Sequence, residues 1–548
     1  MFTELDWIPN TNRRAVLKTA MAVALGTAVP SLAWADDTQP IAATRAGKVR
    51  GKVENGISVF KGVRYGDDTA KTRFQAPHAP QPWTNVVDAF DFGNQTPQPN
   101  SDSNGLLKSW ANRRQNSEDC LFLNVWTPAP ASQVHDGKKR AVMVWFHGGG
   151  FASGSGASHG YDGVRLAKRG DVVVVTVNHR LNVFGHLYLG AIGGPKFADS
   201  GNVGILDLIQ SLKWVRDNIA EFGGDPGNVM IFGESGGGAK VTTLMTMPAA
   251  KGLYHRAAVQ SGAWLYFNEP AAVTKTANAV LSELGLTAAT VDQILAVPFE
   301  KIQAAAAKTA SMGQGSSWGP VIDKKNLYKH PFAVGGTGPE ESKDIPLLMG
   351  FNRTESTFLV GPRDPQFFSL TWETLPGKLA PQIVGVDVAT VIADYRKLHP
   401  KYDASDVFFA ATTDSRFVRA HVNQVELKAK QGGAPAYFYM LDWNTPVDGG
   451  RWRSPHTLEI GLVFDNVAKS ESVTGVGADQ QRMADLMSEA WLAFAKTGNP
   501  NNKSLPKWEP YDATQRPSMV FDLKPTAVND VRGTERRWFD SLKMGANG

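Results

Sequence analysis

Gly233-Glu234-Ser235-Gly236-Gly237 is the segment whose residue types come nearest to a reacting centre. It follows the apolar run Val229–Phe232 and precedes the helix-compatible stretch Ala239–Met247. A serine between a buried strand and a helix, flanked by glycines, fits a tight strained turn that lifts the hydroxyl above a sheet. The helix behind it points its positive end at the nucleophile, where negative charge develops. Alone, the five residues also fit an ordinary glycine-rich turn.

A second segment, His147-Gly148-Gly149-Gly150-Phe151, follows the run Ala141–Phe146. Glycines let backbone N–H groups approach a substrate oxygen, so Gly149 and Gly150, with the N–H of Gly236, are the candidate oxyanion donors. A flexible loop explains one glycine well and three consecutive ones badly. His147 has no further ligand types at metal-binding spacing. The chemistry implied by both segments, acyl transfer through Ser235, needs no metal or organic cofactor.

These residues need a sheet to hold them. Leu121–Trp126, Ala141–Phe146, Val172–Val177, Val229–Phe232, Ile345–Gly350 and Ala436–Leu441 read as strands. Several are nearly continuous β-branched or aromatic runs, as in strands covered on both faces of a parallel sheet. Leu206, Ile209, Leu212, Val215 and Ile219 recur at three and four, predicting an amphipathic helix over Leu206–Phe222 and a βαβ unit. Gly47–Tyr65 reads as antiparallel hairpin strands, and Gln75–Asn104 as a long surface loop. Residues 270–310 and 370–432 carry helical periodicity and suggest a helical insertion subdomain. Met483–Lys496 reads as a C-terminal helix, and the tail to Gly548 as short and basic.

The first 35 residues read as an export segment. Asn12-Arg13-Arg14-Ala15-Val16-Leu17-Lys18 is similar to a twin-arginine motif, with Asn12 and Val16 departing from it. An apolar stretch Thr19–Ala33 follows, and Ala33-Trp34-Ala35 offers the small residues of a cleavage site. General secretion is the alternative route. The expectation is a periplasmic or secreted chain, cut near Ala35, with no stable membrane anchor afterwards and one domain over residues 36–548.

Of the 548 residues, 42% are hydrophobic and 20% charged, so a large core is affordable. The net charge is +5, but basic residues are scattered, which argues against a nucleic-acid face. The single cysteine, Cys120, excludes an intramolecular disulfide, and its apolar setting predicts an inert buried thiol.

The chain resembles the type-B carboxylesterase and cholinesterase family from about Gly47 to about Asp522. Beyond the two glycine segments, the resemblance rests on Ser117–Val125, Gly201-Asn202-Val203-Gly204, Phe222-Gly223-Gly224-Asp225-Pro226, Gln260-Ser261-Gly262 and Phe494–Pro500. It implies an α/β-hydrolase fold: a large, mostly parallel central sheet with an N-terminal antiparallel region and flanking helices. It also implies a Ser-Glu-His triad. The acid falls on Glu355 in Asn352-Arg353-Thr354-Glu355, and the base on His456 in His456-Thr457-Leu458-Glu459. Without it, Glu355 would pass for a solvated loop carboxylate and His456 for one of 11 histidines. Glu234 and Ser261 are expected around the triad, and the pairs Arg73–Glu118 and Arg180–Asp207 are implied as scaffolding. The family often has Ala where this chain has Gly236.

The implied partner is a small-molecule ester. Arg451 and Arg453, just before His456, either favour an anionic ester at the pocket mouth or simply pack a surface loop. Two other readings stay open: a related hydrolase of amides, carbamates or lactones, and a non-catalytic cholinesterase-like binding protein. The sequence sets no oligomeric state.

Overall fold

The computed structural model describes residues 39–99, 105–314 and 318–541. The export-segment reading therefore lies outside the described residues.

One sheet of 11 strands organises the chain. In chain order these are β1 (Lys52–Glu54), β2 (Ile57–Arg64), β3 (Phe122–Thr127), β4 (Arg140–Phe146), β5 (Val173–Val177), β6 (Gly224–Glu234), β7 (Arg256–Gln260), β8 (Leu347–Asn352), β9 (Ala436–Leu441), β10 (Pro517–Phe521) and β11 (Thr526–Asn529). Their spatial order is β11-β10-β9-β8-β7-β6-β4-β5-β3-β2-β1. From β5 across to β10 all neighbours are parallel. The edges β1–β2–β3 and β11 are antiparallel. A separate small sheet joins Ile41–Ala43, Lys48–Arg50 and Val87–Asp88, so the segment read as a long loop carries one short strand.

β5, four valines and Thr176, is buried at every residue because both faces of the sheet are covered. Val142, Val144 and Phe146 of β4 face one core, with Leu208, Leu212 and Val215 of α1 (Val203–Asn218) and Val241 and Leu244 of α2 (Gly236–Leu244). Met143 and Trp145 face the other, with Ile460 and Leu462 of α3 (Leu458–Val463) and Met483, Met487, Trp491 and Phe494 of α4 (Ala478–Thr497).

Beneath the nucleophile turn, Trp145 meets Phe232 at 4.9 Å and Phe464 at 5.1 Å between ring centroids. Truncating so large a buried ring leaves a cavity as well as lost transfer energy. Trp145→Ala is expected to cost about 3–5 kcal/mol, read as a lower urea midpoint at unchanged slope.

Residues 270–310 hold two α-helices, Pro270–Glu283 and Phe299–Ser311, around a 3₁₀ segment; Leu375–Leu379, Val388–Leu398, Ala404–Thr413 and Arg419–Lys430 form a second helical group. The tail is more ordered than its composition suggests: it supplies β10, β11 and a helix over Gly533–Ser541.

Candidate active site

Ser235 ends β6 and begins α2. Its backbone sits at φ 56°, ψ −123°, a conformation that side-chain-bearing residues seldom adopt and that costs about 1–3 kcal/mol. Crowding explains the glycines around it. A Cβ at position 233 would lie 2.6 Å from the Phe146 carbonyl oxygen, and one at 237 only 2.0 Å from it. The Ser235 N–H donates to the Gln260 carbonyl at 2.8 Å, which ties the turn to β7.

The acid and the imidazole come from two other strand ends. Glu355 lies three residues past β8, and His456 lies in the connection from β9 to α3. His456 Nδ1 is 2.5 Å from Glu355 Oε2. Glu355 Oε1 also accepts from Ser261 Oγ and from the Asn352 N–H, both at 2.7 Å. Three donors thus converge on the two oxygens of this carboxylate, which accept from all of them. It also fixes the proton of a neutral His456 on Nδ1 and leaves Nε2 as the base.

Nε2 lies 3.1 Å from Glu234 Oε1, but that oxygen has no aligned hydrogen-bond partner. Among the described residues the half-buried Ser235 hydroxyl forms no hydrogen bond. Base catalysis therefore requires the hydroxyl to engage Nε2 as the ester binds, a tightening that free enzymes often show. Phe358 and Phe417 flank the imidazole at 6.4 and 5.6 Å.

Three buried carboxylates surround this one imidazole. Burial lowers His456, but the charges of Glu234, Glu355 and Glu459 outweigh it and lift the group to about 9. Burial also drives Glu234 well above the usual carboxylate range and Glu459 to about 7, with Glu355 adding to both. The two directions compete for the same protons. Nε2 can accept a proton only in the neutral imidazole, the form favoured when protonation of Glu234 or Glu459 removes a negative charge beside it.

Gly149 and Gly150 lie exposed at the end of β4 with φ of 86° and 61°, a region glycine enters without strain. Among the described residues their N–H groups have no acceptor. Gly236 opens α2, where the first N–H groups lack intrahelical partners. A Cβ on Gly236 would lie 2.2 Å from the Gly150 carbonyl oxygen, so loop and helix start are in direct contact. A cleft of about 220 Å³ runs along Gly148 and Gly149, lined also by Trp110, Arg113, Ser153 and Tyr161.

Arg451 and Arg453 are both engaged elsewhere. Arg451 pairs with Asp448 at 3.3 Å and stacks over Phe368 and Trp452. Arg453 pairs with Asp406 and lies over Phe409. Among the described residues neither bonds to Ser235, Glu355 or His456. Arg73 pairs with Glu118, its Nε 2.7 Å from Oε1, and also donates to the carbonyls of Ile294 and Val297. Arg180 grips Asp207 at 2.9 and 2.6 Å. Cys120 is buried, 3.3 Å from Thr96 Oγ1, and burial pushes its thiol to about 12, which suppresses the thiolate.

Sequence reasoning assigned no role to three residues that the structure brings in. Glu459 accepts from Asn352 Nδ2 at 2.5 Å and lies 3.4 Å from Ser261 Oγ, so Asn352 joins two carboxylates. Both residues stood inside the motifs that located Glu355 and His456. The third, Lys240, is fully buried in α2, and burial lowers its ammonium to about 7 against the opposing pull of Glu234. A charged residue in the apolar stretch Ala239–Leu244 was the available signal.

Serine at a strand-to-helix turn, an acid and a histidine from later strand ends, and a glycine loop beside them define an α/β-hydrolase. The model of the carboxylesterase family matches residues 38–538, and the chain belongs to that family. Para-nitrobenzyl esterase of Bacillus subtilis is 35% identical over 507 residues, covering 91% of this chain and 98% of that protein. The crystal structure of Geobacillus stearothermophilus carboxylesterase EST55 at pH 6.2 superposes with a TM-score of 0.77 at 35% identity, covering 91% of this chain and 99% of that one. An esterase from Clostridium hathewayi, described as hydrolysing aliphatic aromatic polyesters, superposes at 0.76 with 31% identity, covering 92% and 99%.

Proposed function

We propose that the chain hydrolyses carboxylic esters through an acyl-enzyme on Ser235. Neutral His456 takes the hydroxyl proton through Nε2 as Oγ attacks the ester carbonyl. Glu355 steadies the imidazolium that forms, and the N–H groups of Gly149, Gly150 and Gly236 receive the oxyanion. His456 then protonates the leaving alcohol, and water repeats the sequence to free the acid. The observation that carries this reading is the 2.5 Å contact of His456 Nδ1 with a Glu355 held by two further donors.

The cleft beside Gly149 is smaller than the roughly 300–1,000 Å³ of sites for drug-sized ligands. That size supports one arm of a small ester there. The engagement of Arg451 and Arg453 with their own carboxylates favours packing over recognition of an anionic ester. An export role for residues 1–35 is supported by Arg13-Arg14, by Ala33-Trp34-Ala35 and by a family match that begins only at residue 38.

The test combines labelling with a substrate panel. An organophosphonate is expected to modify the wild type once per chain, at Ser235, and to leave Ser235→Ala unmodified. A panel of neutral and acid-bearing esters, amides, carbamates and lactones is expected to show turnover of esters first. A wild type that resists the phosphonate would be a binding protein. Faster turnover of an amide, carbamate or lactone would redirect the assignment.

A further inference from the structure

Lys240 is a buried cationic side chain beside the active site whose chemistry the ester mechanism does not use. It sits in α2, five residues past the nucleophile, with no side-chain exposure. Its Nζ donates to the carbonyl of His147 at 2.9 Å and to that of Gly150 at 2.8 Å, and lies 5.5 Å from the Phe151 ring centroid. A cation taken out of water is retained only where such partners receive it.

Those two carbonyls bracket the glycine loop. The carbonyls between them are tied as well. Gly148 O accepts from His147 Nδ1 at 2.9 Å, and Gly149 O accepts from the N–H groups of Ala152 and Ser153, both at 3.2 Å. Every carbonyl from His147 to Gly150 thus has a donor on the protein side. In a planar trans peptide the C=O and the N–H point in opposite directions. Fixing the carbonyls of Gly148 and Gly149 therefore turns the N–H groups of Gly149 and Gly150 away from those internal donors, where no acceptor engages them among the described residues. The two inner ties are local to the loop. The two outer ones both come from a single side chain on the nucleophile's own helix.

We propose that Lys240 is a positioning residue that fastens the oxyanion loop to the nucleophile helix, so that donors and hydroxyl keep a fixed separation while the tetrahedral intermediate forms. This rests on the ester-hydrolase reading and on Gly149 and Gly150 as donors. Lys240 touches neither substrate nor reacting atoms; it acts through the backbone. Glycine at position 236 complements it, since that residue leaves the Gly150 carbonyl room to reach Lys240 over the start of α2.

The test uses Lys240→Met, which keeps the length of the chain and removes charge and donors, and Lys240→Gln, whose amide still donates to carbonyls. Short p-nitrophenyl esters supply kcat and KM, and a trifluoromethyl ketone reports affinity for an oxyanion mimic. Lys240→Met is expected to lose about 100-fold in kcat, the scale of one lost oxyanion donor, with KM nearly unchanged. Ketone affinity should fall in step with kcat/KM, and Lys240→Gln should recover part of both. A merely structural lysine would lower thermal stability without this parallel loss. Wild-type kcat in Lys240→Met, or a loss of kcat that leaves ketone affinity untouched, overturns the proposal. If Lys240→Met does not fold, Lys240→Gln decides by the same comparison: kcat and ketone affinity falling together at constant KM support the proposal, and any other pattern overturns it. Wild type no faster than Ser235→Ala would sink the hydrolase reading itself, a result distinct from any of these.

Discussion

Glu355→Gln is expected to lower kcat about 10⁴-fold, on the scale seen when a triad acid becomes an amide, while the melting temperature stays near that of the wild type. The reason lies in the donors already committed to this side chain. Ser261 Oγ and the Asn352 N–H both point at Oε1, so the amide must place its oxygen there. Its NH₂ group then faces His456 Nδ1 in place of a carboxylate oxygen. Nδ1 is forced to accept, the imidazole proton moves to Nε2, and the base needed by Ser235 is lost. Shape is kept and the tautomer is inverted. A pre-steady-state burst with a p-nitrophenyl ester locates the defect: acylation should slow by the full factor. Retention of more than a tenth of wild-type kcat would mean that Glu355 does not orient the imidazole.

Gly236→Ala is expected to lower kcat/KM by about 10²–10³, the range for one lost oxyanion donor. The new Cβ would lie 2.2 Å from the Gly150 carbonyl oxygen and 2.4 Å from its Cα. Both are backbone atoms, and backbone cannot swing aside as a side-chain tip does. The loop must retreat from α2, carrying the Gly150 N–H with it. The family resemblance implies that Ala is common here; the expectation for this chain rests on the close approach of the Gly150 backbone to the start of α2. Alanine at wild-type activity would show that the loop has slack. The sensitive readout is again the trifluoromethyl ketone, which should weaken more than the substrate does.

The sequence showed those parts of the fold where burial on both faces leaves a continuous apolar run, as in Val172–Val177 and Ala436–Leu441. It did not show β7, whose Arg-Ala-Ala-Val-Gln lacks the β-branched run of its neighbours. That strand is specified by its place between β6 and β8, which supply hydrogen bonds and packing that no short window contains. β10 and β11 were missed for a related reason: they are short and take the last two places at one end of the sheet. Ser235 and the glycine loop could be read because strain and close backbone approach leave local signatures. Glu355 and His456 leave none; they became readable only through family resemblance, since their partners lie about a hundred residues away. Lys240 is the clearest gap. On a helix, lysine normally reads as a solvated face, and only the fold shows two carbonyls closing over it.

The lone Cys120 also bears on how this chain matures. With one thiol, sealed in the core, no cross-link has to be made before the fold is complete. The native fold is thus attainable under reducing as well as oxidising conditions.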